Sequence, residues 1–422
     1  MPTAPARSTG SGGLALLLVL LVGLSGLSAC SVFDGDDDAA PPVASADVAA
    51  DVRQLLTRHA RALRAGKMTA FLDDVDPTHR PFAARQKRYF LNLRQLPLAR
   101  FGWRVSENSV SETDDGLRAV VELRMQLEGY DTAPVVTPQV LTFSRTDDGE
   151  LLLAGDRDRA FNDRYDIELA PWDLTRIDVE EGDGVLGVFD AKSVDAAYQI
   201  IASVERGIDD IDAEVPLDWS ERVVVYALSD VRALAELDNL PGGDPDKLDG
   251  VAFPVRAGPR TRKLASTRFM LHPRMIYRND QTRDRLIRHE LTHVALGLRD
   301  DKVPTWLSEG IAEYVSVQPI ASYRRMIAKD ALSAAEAGLD GLPRDKTFNG
   351  AHSGANYGIA WYACEYVAAT YGEDALWRLF DTMRAEGGTR EKGQRGVIRD
   401  VLGISGDELA DAAAQKIVNT FG

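Results

Sequence analysis

From residue 47 onward the hydrophobic positions fall into two periods, one helical and one strand-like. Over residues 47–65, Val48, Val52, Leu55, Leu56, His59 and Leu63 recur every three or four positions, which is one face of a helix closed by Gly66. MTAFLDDV predicts a short second helix. Residues 81–96 predict a third, with Phe82, Tyr89, Phe90 and Leu93 turned inward. Four strand-like stretches follow: ARFGWRV, LRAVVELRMQLEGY, PQVLTFSRT and ELLLAGD. Turn signals at Asp114-Asp115-Gly116 and Asp147-Asp148-Gly149 separate them. Helices followed by an antiparallel meander is an α+β order, expected to close a first domain over 47–156.

The second half repeats the alternation at larger scale. VLGVFD at 185–190 and RVVVYAL at 222–228 read as buried strands around a helix over 193–213, with Ser193 as its N-cap. DPDKLDGVAFP reads as a loop entering another strand, and STRFMLH at 266–272 alternates up to Pro273. Leu286, Ile287, Leu291, Val294, Ala295 and Leu298 then recur at helical spacing. After Tyr314 the pattern is helical over 320–337, 357–371, 374–383 and a last segment to Phe421, with a polar loop over 343–352. The expected fold is α+β throughout, with a second domain over 180–422 that joins a mixed sheet to a helical C-terminal part.

The polar residues interrupting these apolar stripes carry the candidate chemistry. His289 and His293 are four apart and share a helix face, so both imidazoles can reach one ion; Glu290 sits beside the first, placed to bind a water. Fifteen residues separate His293 from Glu309 in WLSEGIAEY. Glu309 and Glu313 lie one turn apart among Leu307, Ile311 and Ala312. Carboxylates aimed inward from an apolar helix point to a metal, with Glu309 as third ligand and Glu313 orienting a histidine N–H. His59, His79 and His272 read as structural, and Cys364 as a small buried hydrophobe.

Composition narrows the setting. Forty-nine basic and 65 acidic residues give a formal net charge of −16, which argues against nucleic acid as a partner. Residues 14–27, LALLLVLLVGLSGL, are too short for a comfortable membrane span and suit the apolar part of a signal peptide covering residues 1–29. Residues 30–46 are rich in Asp, Ala, Pro and Ser and read as a flexible acidic tether.

Three resemblances extend this reading. HELTH followed by WLSEGIAEY resembles the gluzincin metallopeptidases, in particular the peptidase MA-like group, over roughly residues 180–420. The resemblance implies a thermolysin-like domain in which His289, His293 and Glu309 hold one Zn2+ and Glu290 is the general base. It also implies that Tyr357, opening a helix that ends at Tyr371-Gly372, or else His352 in the preceding loop, stabilises the oxyanion. STRFMLHP stands where such enzymes carry the edge strand that pairs with extended substrate. Gluzincin aminopeptidases have a longer interval before the third ligand and an upstream G-A-M-E-N motif; neither occurs here. Leu27-Ser28-Ala29-Cys30 resembles the bacterial lipoprotein signal, which implies cleavage before Cys30, lipid on that residue, and a chain anchored to the extracytoplasmic face of a cell membrane. By element order, residues 47–156 resemble the NTF2-like cone. Together these imply a membrane-tethered zinc endopeptidase acting on proteins or peptides. The alternative is a non-catalytic zinc-bearing lipoprotein that binds a protein partner.

Overall fold

A computed structural model of the chain describes residues 43–114, 116–237, 240–387 and 390–422. The expected signal peptide, Cys30, most of the tether and Asp115 of the first turn signal lie outside the described residues. Residues 43–45, assigned above to the tether, belong to the fold. Val43 bridges to Ser111, the Ala44 N–H donates to the Val110 carbonyl at 2.9 Å, and the Ser45 side chain caps the first helix.

That helix, α1 (Ala46–Arg64), packs its Val52, Leu55 and Leu56 stripe onto a four-stranded antiparallel sheet. With α2 (Met68–Leu72) and α3 (Arg80–Leu93) it covers β1 (Leu98–Thr113), β2 (Gly116–Leu127), β3 (Val135–Arg145) and β4 (Leu151–Gly155), which pair in chain order. The period-two pattern of β2 becomes strict alternation of buried positions with half-buried or exposed ones, as a sheet with one covered face requires. Short helices α4 (Arg159–Arg164) and α5 (Pro171–Leu174) lead into a second sheet.

The second sheet runs β5-β6-β7-β9-β8, from β5 (Asp178–Gly182), β6 (Val185–Phe189), β7 (Val223–Ala227), β8 (Gly250–Arg256) and β9 (Leu264–Leu271). β6, β7 and β9 are parallel to one another, while β5 and β8 pair antiparallel at the two edges. The sheet is therefore mixed and the whole is α+β. β9, expected above at the edge, lies between β7 and β8; the edge strand is β8. Pro254 within β8 has no N–H to donate, and such a residue is tolerated where one side of a strand is unpaired.

Every residue of β6 and β7 is buried, because each face of the sheet has its own cover. Val185, Phe189, Val223, Val225 and Ala227 point to a core shared with α6 (Ala197–Glu214) and α9 (Asp280–Leu296). Leu186, Val188, Val224 and Tyr226 point the other way, into a core shared with Phe90, Phe101 and Met125 of the first region. The expected regions 47–156 and 180–422 thus hold one core in common, and the described residues form one compact unit.

Two local expectations change. Ser193 does not cap α6: the Asp190 N–H donates to its hydroxyl at 2.9 Å, and a 3-10 turn over Val194–Ala196 precedes the helix. Residues 320–337 are not one helix. A 3-10 turn (Ser322–Arg324) and α11 (Lys329–Ala337) flank an extended stretch whose Ile327 packs over Gly358. Around these run α7 (Arg232–Ala235), α8 (Pro273–Ile276), α10 (Thr305–Ser316), α12 (Ser353–Tyr371), α13 (Glu373–Thr382), α14 (Glu391–Leu402) and α15 (Gly406–Phe421). No helix of the described residues is long and apolar enough to cross a membrane.

Candidate metal centre

α9 begins at Asn279, whose side chain accepts from the Thr282 N–H at 3.0 Å. Its Ile287, Leu291 and Ala295 enter the core, leaving His289, Glu290 and His293 at one cleft. α10 crosses it carrying Glu309 and Glu313. Gly310 sets how close α12 can come, since a Cβ there would lie 2.5 Å from the Ala360 carbonyl oxygen. That approach brings Tyr357 of α12 into the same cleft.

Three donor atoms converge. His289 Nε2 is 3.2 Å from Glu309 Oε2, His293 Nε2 is 3.4 Å from the same oxygen, and the two Nε2 atoms are 3.4 Å apart. A tetrahedral ion with bonds of about 2.0–2.2 Å separates its ligands by roughly 3.3–3.5 Å, so this triangle is the base of such a site. Glu309 Oε2 is buried and receives no hydrogen bond, a costly state for a carboxylate oxygen unless a cation takes it. His289, His293 and Glu309 could hold a metal ion, and they are the one such cluster among the described residues.

The imidazoles are oriented from behind. Asp300 Oδ2 lies 2.9 Å from His293 Nδ1, so Nε2 is the free nitrogen facing the cleft. Glu313 Oε1 lies 3.3 Å from His289 Nδ1, a charge contact without hydrogen-bond alignment, and the Arg285 guanidinium grips its other oxygen. Asp300 was missed in the sequence. It follows Gly297, whose φ of 53° turns the chain out of α9 into a 3-10 turn, and no helical period connects the two residues.

The electrostatics fit a cation. Burial pushes Glu309 up, but His293 and His289 outweigh it and hold the carboxyl well below the usual range. Glu313, likewise against its burial, is drawn down to about 2 by Arg285 and His289. Burial lowers both histidines, yet Glu309 and Glu313 lift His289 to about 9, and Glu309 and Asp300 lift His293 well above its ordinary value.

Glu290 is buried, which raises its pKa, while the two histidines pull it back. The Ala252 N–H of β8 faces it. Gly250 makes room, because a Cβ there would sit 2.9 Å from Glu290 Oε1. Tyr357 places its ring centroid 6.2 Å from His289, and its hydroxyl donates to Asn349 Oδ1 at 3.3 Å. Burial and the carboxylates of Glu309 and Glu290 push its pKa well up, so it stays a phenol and a donor. His352, the other oxyanion candidate, is exposed before α12 and is not among the residues lining the cleft. The cleft, of about 220 Å³, is floored by these side chains and walled by Gly250, Ala252 and Pro254 of β8.

The remaining histidines have other roles. His59 is buried against Phe71, His79 is exposed beside Asp76, and the His272 ring accepts from the Arg274 N–H at the start of α8. Cys364 is a free, buried thiol whose pKa burial raises. The chain matches no model of a known protein family, and no curated protein sequence matches it.

Proposed function

We propose that this chain is a zinc-dependent peptidase of the gluzincin type, tethered through Cys30 to the outer face of a cell membrane and cleaving internal bonds of extended polypeptides. The observation that carries the reading is the triangle of His289 Nε2, His293 Nε2 and Glu309 Oε2, with edges of 3.2 to 3.4 Å, opening on a cleft beside a sheet edge. Two imidazoles and one carboxylate are the donor set of a catalytic rather than a closed structural zinc site. Zinc held there supplies Lewis acidity, polarising a peptide carbonyl and making a nearby water easier to deprotonate.

The residues around it have defined tasks. Glu290 accepts the proton of the attacking water and passes it to the leaving amine; its raised pKa suits a group that must both take and give a proton. Tyr357 donates from its hydroxyl to the carbonyl oxygen as charge develops there. Asp300 and Glu313 fix the imidazoles through their Nδ1 atoms. Glu290→Gln tests the reading: zinc content should be unchanged and turnover of denatured casein should fall by at least about a hundredfold. Undiminished cleavage by Glu290→Gln would sink the proposal.

A further inference from the structure

A second and larger cavity, of about 710 Å³, lies on the opposite face of β8 from the metal. The two spaces share a wall, since Pro241 and residues 251–254 line both. The far wall is β3. Its residues Val135–Leu141 pair only with β2, because β4 joins the sheet at Thr142. β3 meets the chain just beyond β8, where the Val136 N–H donates to the Ala257 carbonyl at 3.2 Å. Residues 165–173 close one side, with Ile167 and Leu169 half-buried at the space.

The cavity joins apolar walls to a polar rim that includes Asp166, Glu168, Asp173 and Arg256. Phe253, Val255, Leu237 and Leu240 present half-buried surface to it. On the floor the buried Arg268 guanidinium donates to Asp131 Oδ1 at 2.8 Å and to the Tyr226 hydroxyl at 2.7 Å, so its charge is already matched. β8 itself alternates: Gly250 and Ala252 face Glu290 and the metal side, while Val251 and Phe253 face the core on the cavity side. An extended chain laid along that edge points successive side chains to opposite faces.

We infer that the β3–β8 cavity is a specificity pocket for large apolar side chains of a polypeptide substrate, built by the N-terminal sheet for the metal cleft. This rests on the peptidase reading above. The alternate residues that face away from the metal enter the cavity. Its volume is that of pockets which enclose a whole ligand, so it admits an aromatic side chain with its neighbours. The N-terminal region is then part of the substrate site and not a spacer.

The test uses the zinc-loaded full chain and blocked Ala/Ser octapeptides with a single Phe moved through each position. Cleavage should favour Phe at positions on one strand face by about tenfold or more over Ala. Val136→Trp on β3 and Leu169→Arg in the 165–173 segment should each erase that preference. Zinc content should be unchanged in both variants. A readout without turnover is the anisotropy of the same peptides on Glu290→Gln, where Phe at those positions should bind about tenfold tighter and both substitutions should remove the gain. Cleavage by wild type with no dependence on Phe position, or the same preference in whichever variant keeps its thermal transition, overturns the pocket and leaves the peptidase standing. No cleavage together with no peptide binding overturns both.

Discussion

Two buried histidines beside carboxylates, in different parts of the molecule, end in different chemistry. His59 is fully buried on α1, 3.6 Å from Asp74, with its ring stacked on Phe71 at a centroid distance of 3.7 Å. His289 is also buried beside carboxylates, at 3.2 Å from Glu309 and 3.3 Å from Glu313. The first pair faces packed aromatic surface. The second faces a cleft, and a second imidazole one turn along the helix aims its Nε2 at the same point. A histidine–acid pair is thus a common packing solution, and convergence of three donors on an open space makes a site. Sequence position already separates them: His59 lies on the apolar stripe of α1, whereas His289 and His293 lie off the stripe formed by Ile287 and Leu291.

Breaking the convergence should have the largest effect. Glu309→Gln should weaken zinc binding by more than the roughly 10–100-fold typical of an outer-shell loss, measured by competition with a chromophoric chelator. His59→Leu, measured the same way, should leave zinc affinity unchanged. Asp300→Asn comes next, with affinity down about 10–100-fold at an unchanged stoichiometry of one. A full-affinity Asp300→Asn would mean that His293 needs no orienting partner.

The smaller effects are on stability. The His59 ring nitrogens are buried without hydrogen-bond partners, and Asp74 keeps Arg58 at 2.6 Å in any case, so His59→Leu should shift unfolding in urea by no more than about 1.5 kcal/mol. Two acids of the N-terminal region and its connector should give opposite pH slopes. Burial raises Asp76, but hydroxyls of Ser144 and Thr78 outweigh it and hold it below the carboxylate range. Its stabilising contribution is present above about pH 4 and lost as pH falls towards its folded value. Asp173 is raised to about 7, chiefly by burial and despite the Ala170 N–H, so its cost grows as pH rises from about 4 to 7. Asp173→Asn should flatten the loss of stability across that upper window, and Asp76→Asn should flatten the acid limb; denaturant midpoints against pH decide both.

What was legible in the chain follows from the range of each interaction. Helices α1 to α3, the meander β1 to β4 and the pairing of His289 with His293 are set by spacings of two to four residues, which a sequence displays. Glu309 was found because Leu307, Ile311 and Ala312 frame it at helical period. Asp300 was hidden by the break at Gly297. The edge strand was misplaced because the resemblance put it at STRFMLHP, just before the histidine helix, whereas the local mark of an edge is Pro254 in GVAFPVR. The shared core was out of reach for another reason. VVVYA announces a strand buried on both faces, but nothing local says that Phe101 and Met125, a hundred positions earlier, supply the second cover.

The central claim is that His289, His293 and Glu309 hold one metal ion. X-ray absorption at the zinc edge, with metal content, on the purified full chain and on His289→Ala and Glu309→Gln tests it directly. The account predicts one zinc per wild-type chain, bound by two imidazoles and oxygen donors at about 2.0–2.2 Å, with one imidazole signal lost in the first variant and zinc depleted in both. A chain that binds no zinc, or a spectrum that neither substitution alters, would contradict it.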